Sequence, residues 1–228
     1  MIKKVLVFLC VVVLVTSCSR FSKKNIKQGV ITYDITYDSV LLKQTDARLL
    51  PSELTVKFNN NCTLNTIDAL SGAVSISIIN NPLKQQFSTL LKVFNKKLYH
   101  TENFSDGKYP ALYSRIPQVR IIESSESCKF LNYNCIKAMG YFANTPNVHF
   151  EIVYTKEIDI QNPNINTPFE MVDGVLLKFH LRINSMEMFL SARSVEHKKV
   201  PMSTFDIPDG YAAVDFKTIT DLIYMLQQ

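Results

Sequence analysis

The sequence is poor in the arrangements that usually carry chemistry. Its four histidines, His100, His149, His180 and His197, stand in four separate segments. No HxH or HxxxH pair occurs among them, so nothing in their spacing builds a zinc site. Six glycines leave no P-loop, no dinucleotide fingerprint and no G-x-S-x-G elbow. Carboxylates such as Glu123, Glu126, Glu151 and Glu157 are scattered along expected strands without an evident partner. Glu151 on a concave face would suit a general acid, but a solvated strand face is the plainer reading. His149 and His180 fall on the more polar faces of their strands, where a surface or hydrogen-bonded histidine is expected. These absences argue for a non-catalytic protein with no metal and no cofactor.

Long apolar runs are missing too. The longest, residues 5–15, follows Lys3 and Lys4 and is closed by Val15-Thr16-Ser17-Cys18. It is too short for a transmembrane helix, and its order of charge, apolar run and small residues is that of a secretory signal. The ending resembles the lipobox of bacterial lipoproteins, whose cysteine is diacylated and becomes the new N-terminus. An ordinary signal peptide with Cys18 incidental is the alternative. Residues 1–17 therefore read as a signal peptide, Cys18 as the lipidation site, and residues 18–28 as a flexible tether. Three acyl chains would far exceed the marginal anchoring that a single chain gives. Arg20, Lys23, Lys24 and Lys27 make the tether basic, and it lacks the acidic cluster of surface-exported lipoproteins. That resemblance implies an outer-membrane lipoprotein facing the periplasm.

With the signal go Lys3 and Lys4, which lowers the formal net charge from +5 by two, to +3. Nothing in that balance argues for nucleic acid. The remainder, residues 29–228, fits one domain able to bury a full core. The fourteen phenylalanines and ten tyrosines of the whole chain, all but Phe8 and Phe21 within this domain, suit a well-packed β protein.

The clearest pattern lies in residues 175–194. Val175, Leu177, Phe179, Leu181 and Ile183 alternate with more polar neighbours, Asn184-Ser185 supplies a two-residue turn, and Met186, Met188, Leu190 and Ala192 return on one face. Pairing outward from the turn sets Ile183 against Met186, Leu181 against Met188, Phe179 against Leu190 and Arg182 against Glu187. A slip of one residue would turn the apolar face to water, so the register is well specified. Residues 29–37, 54–58, 73–79, 120–124, 135–142 and 148–155 read as further strands, and residues 59–61 as a turn. Phe87, Leu90, Leu91 and Phe94 lie at helical spacing and predict a short helix within residues 82–95; a strand running on into residues 97–101 is the alternative. Residues 103–117 and 162–168 read as loops. Phe216, Ile219, Leu222, Ile223 and Leu226 predict a C-terminal amphipathic helix capped by Asp215. The sum is a β-rich α+β domain, with a curved antiparallel sheet or incomplete barrel packed by one or two helices.

Phe130-Leu-Asn-Tyr-Asn-Cys135 resembles the I-x-G-Y-x-C hairpin of the GLPGLI-type proteins, bacterial envelope proteins of unknown function. Glu151-Ile-Val-Tyr-Thr-Lys-Glu-Ile158 is similar to their following strand. Asp173-Gly-Val-Leu-Leu-Lys-Phe179 falls where their naming motif lies, and Phe205-Asp-Ile-Pro-Asp-Gly-Tyr211 resembles their ending. Asn132 replaces the hairpin glycine, which αL geometry tolerates, and the Pro-Gly of the naming motif is missing. The resemblance implies the incomplete barrel of lipoprotein carriers, LolA/LolB-like, with a sheet wrapped around helices. It implies no activity.

Cys62, Cys128 and Cys135 remain after Cys10 and Cys18 are assigned to signal and anchor. A turn at Leu131-Asn132 sets Cys128 against Cys135. A cross-strand disulfide is expected if that pair is non-hydrogen-bonded; an unbonded strained pair and a Cys62–Cys135 bridge are the alternatives.

Two function classes follow. In the first, the concave face binds a lipid or other apolar ligand in a groove lined by Phe150, Ile152, Tyr154, Leu177, Phe179, Leu181, Met186, Met188 and Leu190. The adaptable thioethers suit varied guests. In the second, the groove is filled and the protein is a tethered structural or assembly module with an envelope partner.

Overall fold

β1 (Gln28–Tyr37) is the centre of the structure, a half-buried strand with Tyr33 and Ile35 turned inward. The computed structural model describes residues 26–106, 109–113, 116–183 and 186–226, the side chains of residues 44, 106 and 123–125 excepted. The signal segment, Cys18 and the Asn184-Ser185 turn lie outside the described residues. A short helix, α1 (Ser39–Gln44), follows β1 and is capped by Asp38, whose carboxylate accepts from the Val40 and Leu41 amides. Strands β2 (Glu53–Asn59), β3 (Cys62–Ala69), β4 (Val74–Asn81), β5 (Gln86–Val93) and β6 (Lys96–Asn103) then form a meander. β7 (Val119–Phe130), β8 (Tyr133–Phe142), β9 (His149–Thr155), β10 (Val175–Ile183) and β11 (Met186–Glu196) form a second, and β11 closes on β1. A two-residue strand, β12 (Ala212–Ala213), runs parallel to β6 and leads into α2 (Phe216–Met225).

The described strands make one open sheet in the order β12-β6-β5-β4-β3-β2-β1-β11-β10-β9-β8-β7. It is the curved, β-rich α+β architecture read from the sequence. The β10–β11 register is the expected one at all four named pairs, because its inner face is entirely apolar. The β2–β3 and β7–β8 turns have positive φ at both central residues, Asn60 and Asn61 in one and Leu131 and Asn132 in the other. That is the I′ pattern, whose twist matches the flanking strands and which asparagine tolerates.

The short helix expected within residues 82–95 is instead strand β5. The helical spacing arises because both faces of this strand are covered. Leu91 faces the main core, Phe87 is buried on the same side of the strand and stacks on Phe104, Leu90 faces a second cluster with Val30, Cys62, Ile79, Val200 and Phe205, and Phe94 sits in the turn. A strand buried on two faces loses its alternation, and three apolar residues then mimic a helical stripe.

The main core is enclosed by the concave face, the connection between β9 and β10, and α2. Asp215 caps α2 by accepting from the Thr218 amide at 2.8 Å, and Ile219 and Ile223 are buried against the sheet. Burying each contributes about 1.5–3 kcal/mol. His100 Nδ1 lies 2.7 Å from the Val214 carbonyl; since a carbonyl only accepts, that nitrogen carries the proton and pins the helix entrance to β6. No helix among the described residues is long and apolar enough to cross a membrane.

Candidate functional site

The concave face carries an alternating set of side chains from each strand in register: Tyr33, Leu54, Ile67, Ile76 and Leu91 in one row, and Ile31, Val56, Asn65, Ile78 and Thr89 in the next. A roof lies over them. It consists of residues 158–174, whose Ile158, Ile160, Phe169 and Val172 point into the core, and of Ala111 and Leu112. Thr89 Oγ1 accepts from the Ala111 amide at 3.1 Å, and the Val119 amide donates to the Pro168 carbonyl at 2.9 Å. Asn164 pins the roof from within: its Nδ2 donates to the carbonyls of Val172 at 2.8 Å and Gly174 at 2.9 Å. A Cβ on Gly174 would lie 2.8 Å from the Thr155 carbonyl oxygen, so the close approach of roof and β9 requires glycine there.

Between roof and sheet remains a mostly apolar cavity of about 90 Å³. Its polar groups are few. Tyr33 donates its hydroxyl to the Leu176 carbonyl at 2.7 Å, and burial pushes its phenol well above the usual range. Burial likewise pushes the Tyr113 phenol up to about 12, with the Asn65 amide opposing. Asn65 Oδ1 is buried without a hydrogen-bond partner among the described residues.

The side chains expected to line a groove divide between the cavity and the core around it. Of these nine side chains, Phe179 and Leu181 border the cavity. Phe150, Ile152, Leu177, Met188 and Leu190 are buried in the closed core, and Tyr154 and Met186 are half-buried and packed against it. An apolar face of this size needs a cover. The cover is the roof, a segment whose apolar residues are spaced too irregularly to announce it. The cavity's other walls come from β1–β4, and only long-range pairing brings them opposite β10.

His180 is also not where its strand pattern puts it. The expected polar face is closed over, leaving the imidazole 4% exposed, with ring centroids of Phe189, Phe150 and Phe142 at 4.3, 5.0 and 5.4 Å. The pairing of β9 with β10 ends at Val153–Lys178, and the phenyl rings fill the space beyond. Glu187 Oε2 lies 3.3 Å from His180 Nε2, and Glu187 also pairs with Arg182, as expected across the strands. Burial holds the imidazole below its usual pKa; Glu187 opposes this and Arg182 adds to it. His149 is exposed.

Glu151 and Glu126 both pair with Lys137, at 3.4 and 3.3 Å, which places Glu151 on a solvated strand face rather than in the core. Glu157 accepts from the amide and side chain of Asn134. The side chain of Glu123 lies outside the described residues. Among the described residues no cluster of His, Cys, Asp and Glu could hold a metal ion.

Cys128 lies directly opposite Cys135, and both thiols are free, as is Cys62. Counting from the two-residue turn explains this. Phe130–Tyr133 closes the turn as a hydrogen-bonded pair, so Lys129–Asn134 is non-hydrogen-bonded and Cys128–Cys135 is hydrogen-bonded again, the wider kind. Burial first, then the neighbouring Cys128, pushes the Cys135 thiol up to about 11. No protein-family model matches the chain, and none of the curated proteins is detectably similar to it.

Proposed function

We propose that the protein is a lipid-anchored, non-catalytic module of the bacterial cell envelope that acts through its surface rather than by carrying cargo. Acylated Cys18 holds it to the outer membrane, facing the periplasm, and the basic tether leads into β1. One observation supports the filled-core form of this reading above the others. The void under the roof is about 90 Å³, whereas sites for small-molecule ligands run to about 300–1,000 Å³. The resemblance of the Phe130–Cys135 hairpin to GLPGLI-type envelope proteins agrees with the compartment.

A second reading, a site for a lipid or acyl chain, has its own support in the apolar lining of the cavity and the unpaired Asn65 Oδ1. It requires the roof to lift. Leu181→Glu, at the cavity wall, separates the two. In a filled core the buried carboxylate has no partner and costs several kcal/mol; in an opening groove the loss is modest. The anchor is tested by labelling cells with a fatty-acid analogue: Cys18→Ala should abolish incorporation, and undiminished incorporation contradicts the lipoprotein reading.

A further inference from the structure

Two bulky apolar residues occupy loop tips at which the backbone favours glycine. Phe94, in the two-residue β5–β6 turn, has φ 52° and is 65% exposed. Positive φ confined to the first turn residue is the II′ pattern, whose first position is ordinarily glycine. Leu70, in the β3–β4 connection, has φ 50° and is 38% exposed. Leu131 is an instructive contrast. It shares the conformation, but its side chain is half-buried and packs on the main core. Phe94 and Leu70 gain no such burial from the fold.

The two tips are neighbours. The Phe94 amide donates to the Ala73 carbonyl at 2.7 Å, the Ala73 amide donates to Leu70 at 3.1 Å, and Lys92 Nζ donates to the Gly72 carbonyl at 2.9 Å. Leu49, 52% exposed, continues the row, because its turn touches that of Leu70. The fringe of the Phe94 tip is basic on both sides of the sheet. Lys92 and Lys97 face each other across β5 and β6 on one side, and Lys96 lies on the other. Among the described residues none of the three is ion-paired, and Lys97 lies over the Tyr211 ring. The nearest carboxylate in register, Asp68, is two strands from Lys92.

We infer that this rim, with Phe94 and Leu70 as its tips and Lys92, Lys96 and Lys97 as its fringe, inserts shallowly into an anionic lipid bilayer. Separate apolar tips ringed by lysine fit a fluid interface, where Phe94 and Leu70 enter the headgroup–acyl boundary and each lysine meets anionic lipid. A protein partner fits less well, since lysine is depleted at protein interfaces and stable ones need a broad complementary patch. The rim lies at the end of the sheet opposite the entry of β1, a strand of 10 residues and therefore about 33 Å long. From Cys18 to Ile26 there are eight residue steps, a reach of about 26–29 Å, so an anchored domain tips over to lay its rim on the same membrane. The inference does not need the anchor.

The chain contains no tryptophan, so Phe94→Trp gives a single indole reporter at the tip. The full chain is mixed with vesicles of phosphatidylglycerol and phosphatidylcholine, with and without brominated acyl chains. Leu83→Trp, an exposed position in the β4–β5 turn at the opposite end, is the control. The expected result is blue-shifted emission, quenched by brominated lipid, for Phe94→Trp and not for Leu83→Trp. Replacing Lys92, Lys96 or Lys97 by Gln should weaken vesicle binding by about fivefold per lysine. Solvent-like, unquenched emission from Phe94→Trp overturns the inference, whether the chain binds by its other end, by its anchor alone, or not at all. Failed fatty-acid labelling at Cys18 with quenching intact would remove the anchor and leave the rim.

Discussion

His180 Nε2 stands 3.3 Å from Glu187 Oε2, with the phenyl rings of Phe142, Phe150 and Phe189 closing around the imidazole. Burial lowers the folded-state pKa below that of the unfolded chain, so between the two values the unfolded state binds more protons. Stability is then full above pH 6.5, the ordinary histidine value, and falls as the pH drops towards the folded pKa. The slope for one group is at most about 1.4 kcal/mol per pH unit. Denaturation midpoints measured from pH 7.5 to 5 should show this fall, and His180→Phe, which keeps the aromatic packing, should flatten it.

The roof should open before the sheet does. Asn164→Ala takes its donor from the Gly174 carbonyl and one of two from the Val172 carbonyl, which keeps the Gly174 amide at 3.1 Å. The loss is about 1–3 kcal/mol for each group left buried and unpaired. Amide hydrogen exchange should accelerate over residues 158–174, while β1–β4 keep their protection.

Relief of backbone strain at the rim predicts the opposite sign. A bulky residue in the left-handed region costs about 1–2 kcal/mol relative to glycine, offset by about 0.5–1 kcal/mol of glycine's extra chain entropy. Phe94→Gly should therefore melt at or slightly above the parent, while losing vesicle binding if the rim inserts. A clear drop in melting temperature would mean that Phe94 contributes packing after all.

The three described thiols should differ in reactivity. Cys62 and Cys135 are buried and their thiols are pushed up, whereas Cys128 is half-exposed. Alkylation of the native chain at pH 8 should modify Cys128 first, and non-reducing peptide maps should recover Cys128 and Cys135 unlinked. A recovered link would show that the strand pair accommodates the bridge despite its hydrogen-bonded register.

Local patterns carried much of this fold. The β10–β11 register was legible because Leu181, Ile183, Met186 and Met188 can face only one way, and α2 because Asp215 and the Ile219–Ile223 spacing mark cap and face. β5 was not legible, since burial of Leu90 on one side and Leu91 on the other erases its period. The cavity was least legible of all. Tyr33 meets Leu176 across 143 residues, and Asn65 meets its roof through pairings that no local signal encodes. The disulfide expectation turned on parity: the turn fixes which pairs are hydrogen-bonded, and two steps from its closing pair Cys128–Cys135 is again one.

The central claim is a closed concave face, and titration of the purified chain with a fluorescent long-chain fatty acid tests it most directly. A cavity of about 90 Å³ predicts no saturable binding, and an Ile78→Phe variant that fills it should respond as the parent does. Saturable one-to-one binding that Ile78→Phe abolishes would contradict the account and establish the concave face as a ligand site.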